Sequence, residues 1–208
     1  MITIKVKDTA VRYCNGEYII DVNKIIDVII EQNGTQLKNI QVGKTFKIGG
    51  EEWIVLEQSG DATACLKKDL LPEKIKFDDT TNNFSKSYIN HFLNVHYKEK
   101  LQKLVGNNLC EHTVDLTADD GLKDYKECKA YVSLLTCEQY RKYTDIMLKY
   151  NPKQWWLTAT AYSTPTRGCS ELVCYVGNGG MLYSSYCNDY GGVRPFIVLK
   201  NTLEVDEV

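Results

Sequence analysis

The chain begins with short runs in which apolar and polar residues alternate, the pattern that is typical of half-buried β-strands. Residues 2–6 are Ile-Thr-Ile-Lys-Val, and the pair Asn15-Gly16 precedes the run Tyr-Ile-Ile at 18–20. An Asn-Gly pair between two such runs is a strong signal for a hairpin turn. Residues 2–20 are therefore predicted to form short strands.

A helical pattern follows over residues 21–34. Apolar residues recur at helical spacing from Ile25 to Ile30, Asp21 is a suitable N-cap, and Gly34 is a suitable stop. The many β-branched residues leave a strand open as the alternative. We interpret residues 1–38 as a small N-terminal element for docking or oligomerisation.

The sharpest pattern in the chain predicts a three-stranded antiparallel meander. Three runs rich in apolar and β-branched residues are separated by short turns that contain glycine. The runs are 44–48, 52–57 and 62–67. The polar residues 72–84 that follow predict a loop.

Two helices are predicted in the middle of the chain. Ser85 is a suitable cap for a helix that continues to about Leu104. Thr136 and Gln139 have the spacing of a capping box, in which each side chain bonds to the backbone of the other residue. The helix that begins there is expected to end at Asn151-Pro152, because a residue before proline disfavours helical backbone.

The last fifty residues return to short strands, separated by loops rich in Gly, Ser, Thr and Asn. The predicted strands are 155–159, 172–176, 181–183 and 193–199. Short strands and a few helices that do not alternate regularly predict the α+β class.

Composition and charge exclude some partners. A chain of 208 residues with a formal net charge of -2 has no excess of basic residues to attract nucleic acid or an anionic membrane surface. The first residues lack the apolar core of a signal peptide. We therefore expect synthesis in a cytoplasm, which includes the synthesis of proteins that are later built into a virion.

Cysteine and histidine give no sequence signal for a cofactor or a metal. The eight cysteines are too sparse for a disulfide scaffold, and none forms a C-x-x-C pair, so reduced structural thiols are expected. His91, His96 and His112 have no companion ligand at metal-binding spacing. Residues 119–121, Asp-Asp-Gly, lack the alternating acidic positions of a calcium loop.

Tyrosines cluster near the C-terminus. Four of the fourteen lie within sixteen residues, interleaved with Ser, Gly and Asn, as in an antibody-like binding surface. If 181–185 is a strand, Met181, Tyr183 and Ser185 share one face, and Leu182 points to the core. The alternative is that these tyrosines pack inside the fold or on an edge strand.

Motifs in the same region resemble an uncharacterised family of bacterial, phage and prophage domains. The family pattern is WWLRSP … YV-x-x-(D/N)G-x-(L/V) … GVRPA. Its counterparts in this chain are Trp155-Trp156-Leu157, the run YVGNGGML at 175–182 and the run YGGVRPF at 190–196. Two positions depart from the pattern: residues 158–161, Thr-Ala-Thr-Ala, replace Arg-Ser-Pro, and Phe196 replaces the usual Ala.

Upstream segments extend the resemblance over about residues 40–200. Residues 42–56 resemble the opening strands of the family, residues 88–94 its first helix, and residues 134–140 its strand-to-helix step. The family is similar to the C-type-lectin-like fold, in the branch shared with formylglycine-generating enzymes and with the variable proteins of diversity-generating retroelements. The resemblance implies a C-type-lectin-like domain over residues 39–208, with two helices on short, mostly antiparallel strands.

Two groups of site residues are expected. The ligand-binding residues are Tyr175, Asn178, Met181, Tyr183, Ser185, Tyr186, Asn188, Asp189 and Tyr190. The structural residues are Trp53, Trp155, Trp156, Arg194 and Pro195. Adjacent strand residues face opposite ways, so one of the paired tryptophans is expected in the core and the other beside a groove. Arg194 is expected to hold the C-terminal strand through hydrogen bonds.

These patterns favour a non-enzymatic recognition protein of phage or prophage origin that binds a protein or glycan, for example on a host surface. A retroelement-diversified variable protein is one form of this hypothesis. The first alternative is a structural component of a virion that docks through residues 1–38. The second, implied by the family relationship, is a copper-dependent thiol oxidase using Cys169, Cys174 or Cys187, although their spacing matches no motif.

Overall fold

The computed structural model divides the chain into two compact units, Met1–Gly34 and Thr35–Val208. The residues that it describes are 3–5, 11–14, 16–20, 29–31 and 34–208. The second unit begins a few residues earlier than the sequence motifs suggested. Leu37 is fully buried in its core, and the Leu37 N–H donates to the carbonyl of Leu203 at 2.8 Å.

The N-terminal unit contains two antiparallel strand pairs. Strand β1 (Thr3–Lys5) pairs with β4 (Ile29–Glu31), and β2 (Val11–Cys14) pairs with β3 (Glu17–Ile20) across the predicted hairpin turn, which is confirmed. The helix predicted over residues 21–34 is wrong at Ile29–Glu31, where β-branched residues favour the strand. Residues 21–28 and 32–33 lie outside the described residues.

The second unit consists of short strands and four α-helices, which confirms the α+β class. The strands are β5 (Thr35–Gln36), β6 (Thr45–Ile48), β7 (Glu51–Ser59), β8 (Ala62–Lys67), β9 (Ile75–Lys76), β10 (Leu109–Cys110), β11 (His112–Asp115), β12 (Glu127–Ala130), β13 (Val132–Ser133), β14 (Trp156–Ala161), β15 (Leu172–Val176), β16 (Leu182–Tyr186), β17 (Tyr190–Gly191), β18 (Phe196–Lys200) and β19 (Glu204–Glu207). The helices are α1 (Tyr88–Phe92), α2 (Lys98–Val105), α3 (Cys137–Lys142) and α4 (Thr144–Tyr150). A π-helical segment, Leu93–Tyr97, joins α1 to α2. Among the described residues, none of the helices has the length and apolar character needed to cross a membrane.

The main sheet has the strand order β10-β18-β8-β7-β6-β19-β5, with β13 also paired to β18. The predicted meander of β6, β7 and β8 forms its centre and is confirmed. The last two strands join it on both sides, β18 beside β8 and β19 beside β6. A separate sheet, β14-β15-β16, contains parts of the first two C-terminal motifs. The third motif begins in β17, which pairs with β9 in the segment predicted as a loop.

Hydrophobic cores cover both faces of the central strand β7. Trp53 and Val55 belong to one cluster, and Ile54 and Leu56 belong to a second. Successive strand residues point to opposite faces, so an uninterrupted apolar run is what a strand with two covered faces requires. The second cluster includes α3, α4 and Trp156, and it therefore connects the main sheet to the region of the C-terminal motifs.

The ends of the helices show which capping signals were correct. The capping box of Thr136 and Gln139 is present at the start of α3, as predicted. The helix predicted after it is divided into α3 and α4. At α1 the capping residue is Ser87, whose hydroxyl accepts from the N–H of Asn90 at 3.2 Å, and not Ser85. Both serines have suitable chemistry, and only the backbone path decides between them.

His112 on β11 is a largely buried titratable group. Its ring meets Phe196 edge-on, with centroids 5.2 Å apart, and its Nε2 lies 2.9 Å from the hydroxyl of Ser133. Burial lowers the pKa of His112 to about 4 from the ordinary 6.5, because the charged imidazolium would lose its hydration.

We expect acidification to destabilise the fold through His112. Between pH 6.5 and pH 4 the unfolded chain binds a proton that the folded chain does not, so stability present above this window is lost as the pH falls through it. The expected loss between pH 7 and pH 5 is about 2 kcal/mol. Urea unfolding at the two pH values measures it, and His112→Gln should remove this part of the pH dependence. His96→Gln, at an exposed histidine, is the control and should retain it.

Candidate functional site

A groove of about 470 Å³ lies beside the β14-β15-β16 sheet and is lined by three aromatic side chains. The rings of Trp155 and Tyr175 are 4.9 Å apart at an angle of 56°, and those of Tyr175 and Tyr183 stack at 5.6 Å and 28°. Tyr175 and Tyr183 are directly opposite each other in the pairing of β15 with β16, so the strand register produces the stack. The three rings form one continuous aromatic surface.

Polar side chains complete the groove. Lys74, Lys153, Gln154 and Asn178 line it, and both lysines are exposed. Within residues 34–208 neither lysine forms an ion pair. The groove therefore combines an aromatic wall with two positive charges that are available to a ligand.

The turn between β15 and β16 is held by Tyr140 of α3 and by Asn151, the residue after α4. The hydroxyl of Tyr140 donates to the carbonyl of Gly180 at 2.6 Å, and the amide of Asn151 donates to the carbonyl of Asn178 at 2.9 Å. The other side of the Asn151 amide accepts from the indole N–H of Trp156 at 3.3 Å. These bonds fix the groove turn relative to α3 and to the residue that follows α4.

The paired tryptophans lie in different environments. Trp156 is fully buried, with its ring edge-on to Tyr140 at 5.9 Å. Trp155 is partly buried and lines the groove. Trp53, the third tryptophan, is fully buried in the first core cluster.

Arg194 is a fully buried guanidinium that bonds to three backbone carbonyls. Its Nε donates to Lys67 at 2.8 Å, and its Nη2 donates to Lys68 and to Tyr150, both at 2.9 Å. Its centre lies 5.3 Å from the ring of Trp156. Burial lowers the pKa of Arg194 to about 10, so the group still carries its charge at neutral pH. The neighbouring Pro195 is also buried, and its carbonyl accepts from the N–H of Lys67 at 2.9 Å.

The nine residues expected to bind a ligand do not form one surface. Tyr175, Asn178 and Tyr183 line the groove, and Met181 lies next to Tyr183, with the Tyr183 hydroxyl 3.8 Å from its sulfur. Tyr186 is 58% exposed, but it is three positions along β16 from Tyr183 and therefore faces the other side of the strand.

Of the four remaining expected residues, Ser185 lies in β16 and the other three lie beyond it. Asn188, Asp189 and Tyr190 are exposed, and Tyr190 belongs to β17. The hydroxyl of Ser185 donates to the carboxylate of Asp189, which fixes the local turn. None of these four side chains lines the groove.

Three groove residues had no sequence signal. Lys74 comes from the segment before β9, and Lys153 and Gln154 come from the connection between α4 and β14. Single exposed lysines and glutamines are common on any surface, so only their position beside the aromatic rings distinguishes these residues.

A second cluster contains two thiols and a carboxylate. The seven cysteines with described side chains are free thiols, and the sulfur neighbour of Cys174 is Cys137, which the sequence did not single out. The neighbouring Cys174 thiol lowers the pKa of Cys137, whereas this pairing and burial raise the pKa of Cys174. The carboxylate of Asp119 lies within 4.8 Å of both sulfurs.

Comparison of the chain with protein-family models, with curated proteins and with solved structures found no match. The function of the chain is therefore inferred from its aromatic groove and its cysteine cluster.

We expect Arg194→Met to lower the free energy of unfolding by about 3 kcal/mol or more, because three backbone carbonyls beside a fully buried side chain lose their donor. Urea unfolding measures the change. Arg167→Met is the matched control, since Arg167 is exposed and forms a surface ion pair with Asp120 at 3.2 Å; its cost should stay below about 1 kcal/mol. Equal losses in the two variants would contradict the role assigned to Arg194.

Gly192 allows the chain to pass against the tryptophan pair. A Cβ at this position would lie 2.8 Å from the carbonyl oxygen of Trp155 and 2.6 Å from a methyl group of Leu70. Gly192→Ala is therefore expected to destabilise the fold by about 2 kcal/mol, because a backbone atom cannot move aside easily. Thermal unfolding of the variants measures the change. Gly179→Ala, where a Cβ would meet nothing within 4 Å, is the control and should change stability by less than about 0.5 kcal/mol.

Proposed function

We propose that this protein is a non-enzymatic recognition protein and that its groove binds a glycan carrying an acidic sugar. The observation behind this proposal is the continuous surface of Trp155, Tyr175 and Tyr183 beside Lys74 and Lys153. Ligand sites are typically aromatic clefts with a few polar groups that fix orientation. A sugar ring offers an apolar C–H face to the aromatic wall, and its carboxylate, sulfate or phosphate pairs with the lysines.

The preformed shape of the groove favours binding. Tyrosine and tryptophan supply a large contact area with few rotatable bonds, so little conformational entropy is lost when they are covered. The turn that contains Asn178 is already held by Asn151, and the stack of Tyr175 on Tyr183 is set by strand register. Preorganisation of this kind reduces the cost of binding.

The motifs support a finer assignment of the second unit. We infer a C-type-lectin-like domain of phage or prophage origin from the pattern of Trp155-Trp156 and of residues 175–182 and 190–196. The α+β class supports that inference, as does the origin of seven of the eight groove residues in the C-terminal third of the chain. A retroelement-diversified variable protein is one form of this inference, and the Tyr-, Ser- and Gly-rich composition of residues 175–192 supports it.

Binding to an array of host-surface glycans, followed by calorimetry with the best oligosaccharide, tests the function. Acidic glycans should bind and their neutral counterparts should not. Tyr183→Ala should weaken binding about tenfold or more, as expected for a central aromatic contact. Lys153→Ala should also weaken it, and its effect should shrink at high salt because exposed charges are screened.

Tyr186→Ala is the matched control, since it removes an exposed tyrosine from the opposite face of the same strand. It should bind as the wild type does, and circular dichroism should show that all variants are folded. Equal loss in the Tyr183 and Tyr186 variants, or equal binding of neutral and acidic glycans, would contradict the proposal.

A further inference from the structure

The cluster of Asp119, Cys137 and Cys174 has the composition of a metal site. Each residue offers one ligand atom, and the three atoms lie within 4.8 Å of one another. Cys137 and Cys174 are 1% and 2% exposed, whereas Asp119 lies at the surface. In a tetrahedral Zn²⁺ site, Zn–S bonds of about 2.3 Å and Zn–O bonds of about 2.1 Å place the ligand atoms about 3.5–3.8 Å apart. Small side-chain rotations therefore suffice to close the cluster around an ion.

Strand β14 holds all three ligands in place. The hydroxyl of Thr160 accepts from the backbone N–H of Cys137 at 2.9 Å, and the hydroxyl of Thr158 donates to the carbonyl of Cys174 at 2.7 Å. The carbonyl of Ala161 accepts from the N–H of Asp119 at 2.9 Å. Three segments that are distant in the chain are thus fixed to one buried strand.

We propose that Asp119, Cys137 and Cys174 form a Zn²⁺ site. Two thiolates and one carboxylate suit a borderline cation, since Cu⁺ prefers softer ligands than a carboxylate and Mg²⁺ or Ca²⁺ prefers oxygen ligands to thiolates. This site is separate from the aromatic groove, and the inference does not depend on the proposed glycan binding.

Charge balance supports the assignment. Two thiolates and a carboxylate carry three negative charges, and Zn²⁺ with Arg141 supplies three positive ones. Arg141 donates to Oδ1 of Asp119 at 2.6 Å, and the carboxylate has a second oxygen that can bind the metal. A partner of this kind orients a ligand from outside the coordination sphere.

A cavity of about 490 Å³ adjoins the cluster. Asp119, Cys137, Arg141 and Thr160 contribute to its lining. Three protein ligands leave the fourth tetrahedral position open, as in zinc sites that bind water or a small ligand. A metal at this position would be reached from the cavity on the side of Asp119 and Cys137.

The test uses the full chain, reduced and treated with a chelator, and Zn²⁺ alone as the probe. Metal analysis after gel filtration should give one equivalent for the wild type. Loss of an outer-sphere partner lowers zinc affinity by about 10- to 100-fold. Loss of a sulfur ligand in Cys137→Ser or Cys174→Ser should therefore lower it about 100-fold or more, and Asp119→Ala should also lower it.

Cys128→Ser is the matched control, because Cys128 is a partly buried free thiol outside the cluster. It should retain the full equivalent. X-ray absorption of the zinc-loaded wild type should count two sulfur ligands, and this measurement does not depend on whether a variant folds. A wild type without bound zinc, equal loss in Cys128→Ser, or any other number of sulfur ligands would overturn the proposal.

Discussion

The buried charge of Arg194 is the constraint on which the arrangement of the second unit depends. A guanidinium removed from water is costly unless its donors are satisfied. Here the carbonyls of Lys67, Lys68 and Tyr150 accept three of its five N–H donors. Nη1 lies 3.8 Å from the sulfur of Met147, and the ring of Trp156 covers one face. These groups come from the end of β8, the end of α4 and the start of β14. They surround the guanidinium only when all three segments meet at one point.

This meeting point determines where the groove lies. Because Trp156 is fixed against Arg194, the preceding Trp155 is directed toward Tyr175 and the groove. Gly192 allows the backbone to run close enough for two hydrogen bonds, from its own N–H to Trp155 at 3.3 Å and from the N–H of Leu157 to its carbonyl at 2.9 Å. The aromatic rings of the groove are therefore supported by backbone hydrogen bonds and by the buried guanidinium of Arg194, and not by a loop alone.

Strand β14 supports both candidate sites. Its first residue, Trp156, donates to Asn151, which holds the turn of the aromatic groove. Thr158 and Thr160 bond to the backbones of Cys174 and Cys137. Every residue of β14 is buried, which explains how one strand can position side chains precisely for two different chemistries. The groove offers aromatic area and positive charge, whereas the cysteine cluster offers soft ligands and negative charge.

The sequence by itself determined the features that depend on neighbours in the chain: the meander, the hairpin at Asn15-Gly16, the capping box at Thr136 and the α+β class. Turn geometry, capping chemistry and alternating burial act over a few residues, so they are visible in the residue pattern. Only the tertiary structure decided that Ile29–Glu31 pairs as a strand, since helix and strand were both compatible with that segment.

Both candidate sites needed the tertiary structure for the same physical reason. Motifs pointed to Tyr175 and Tyr183, but Lys74 and Lys153 join them from other segments. Likewise, Asp119, Cys137 and Cys174 are separated by many residues and meet only because β14 binds all three of their backbones. Packing of distant elements sets such distances, and no local pattern records them.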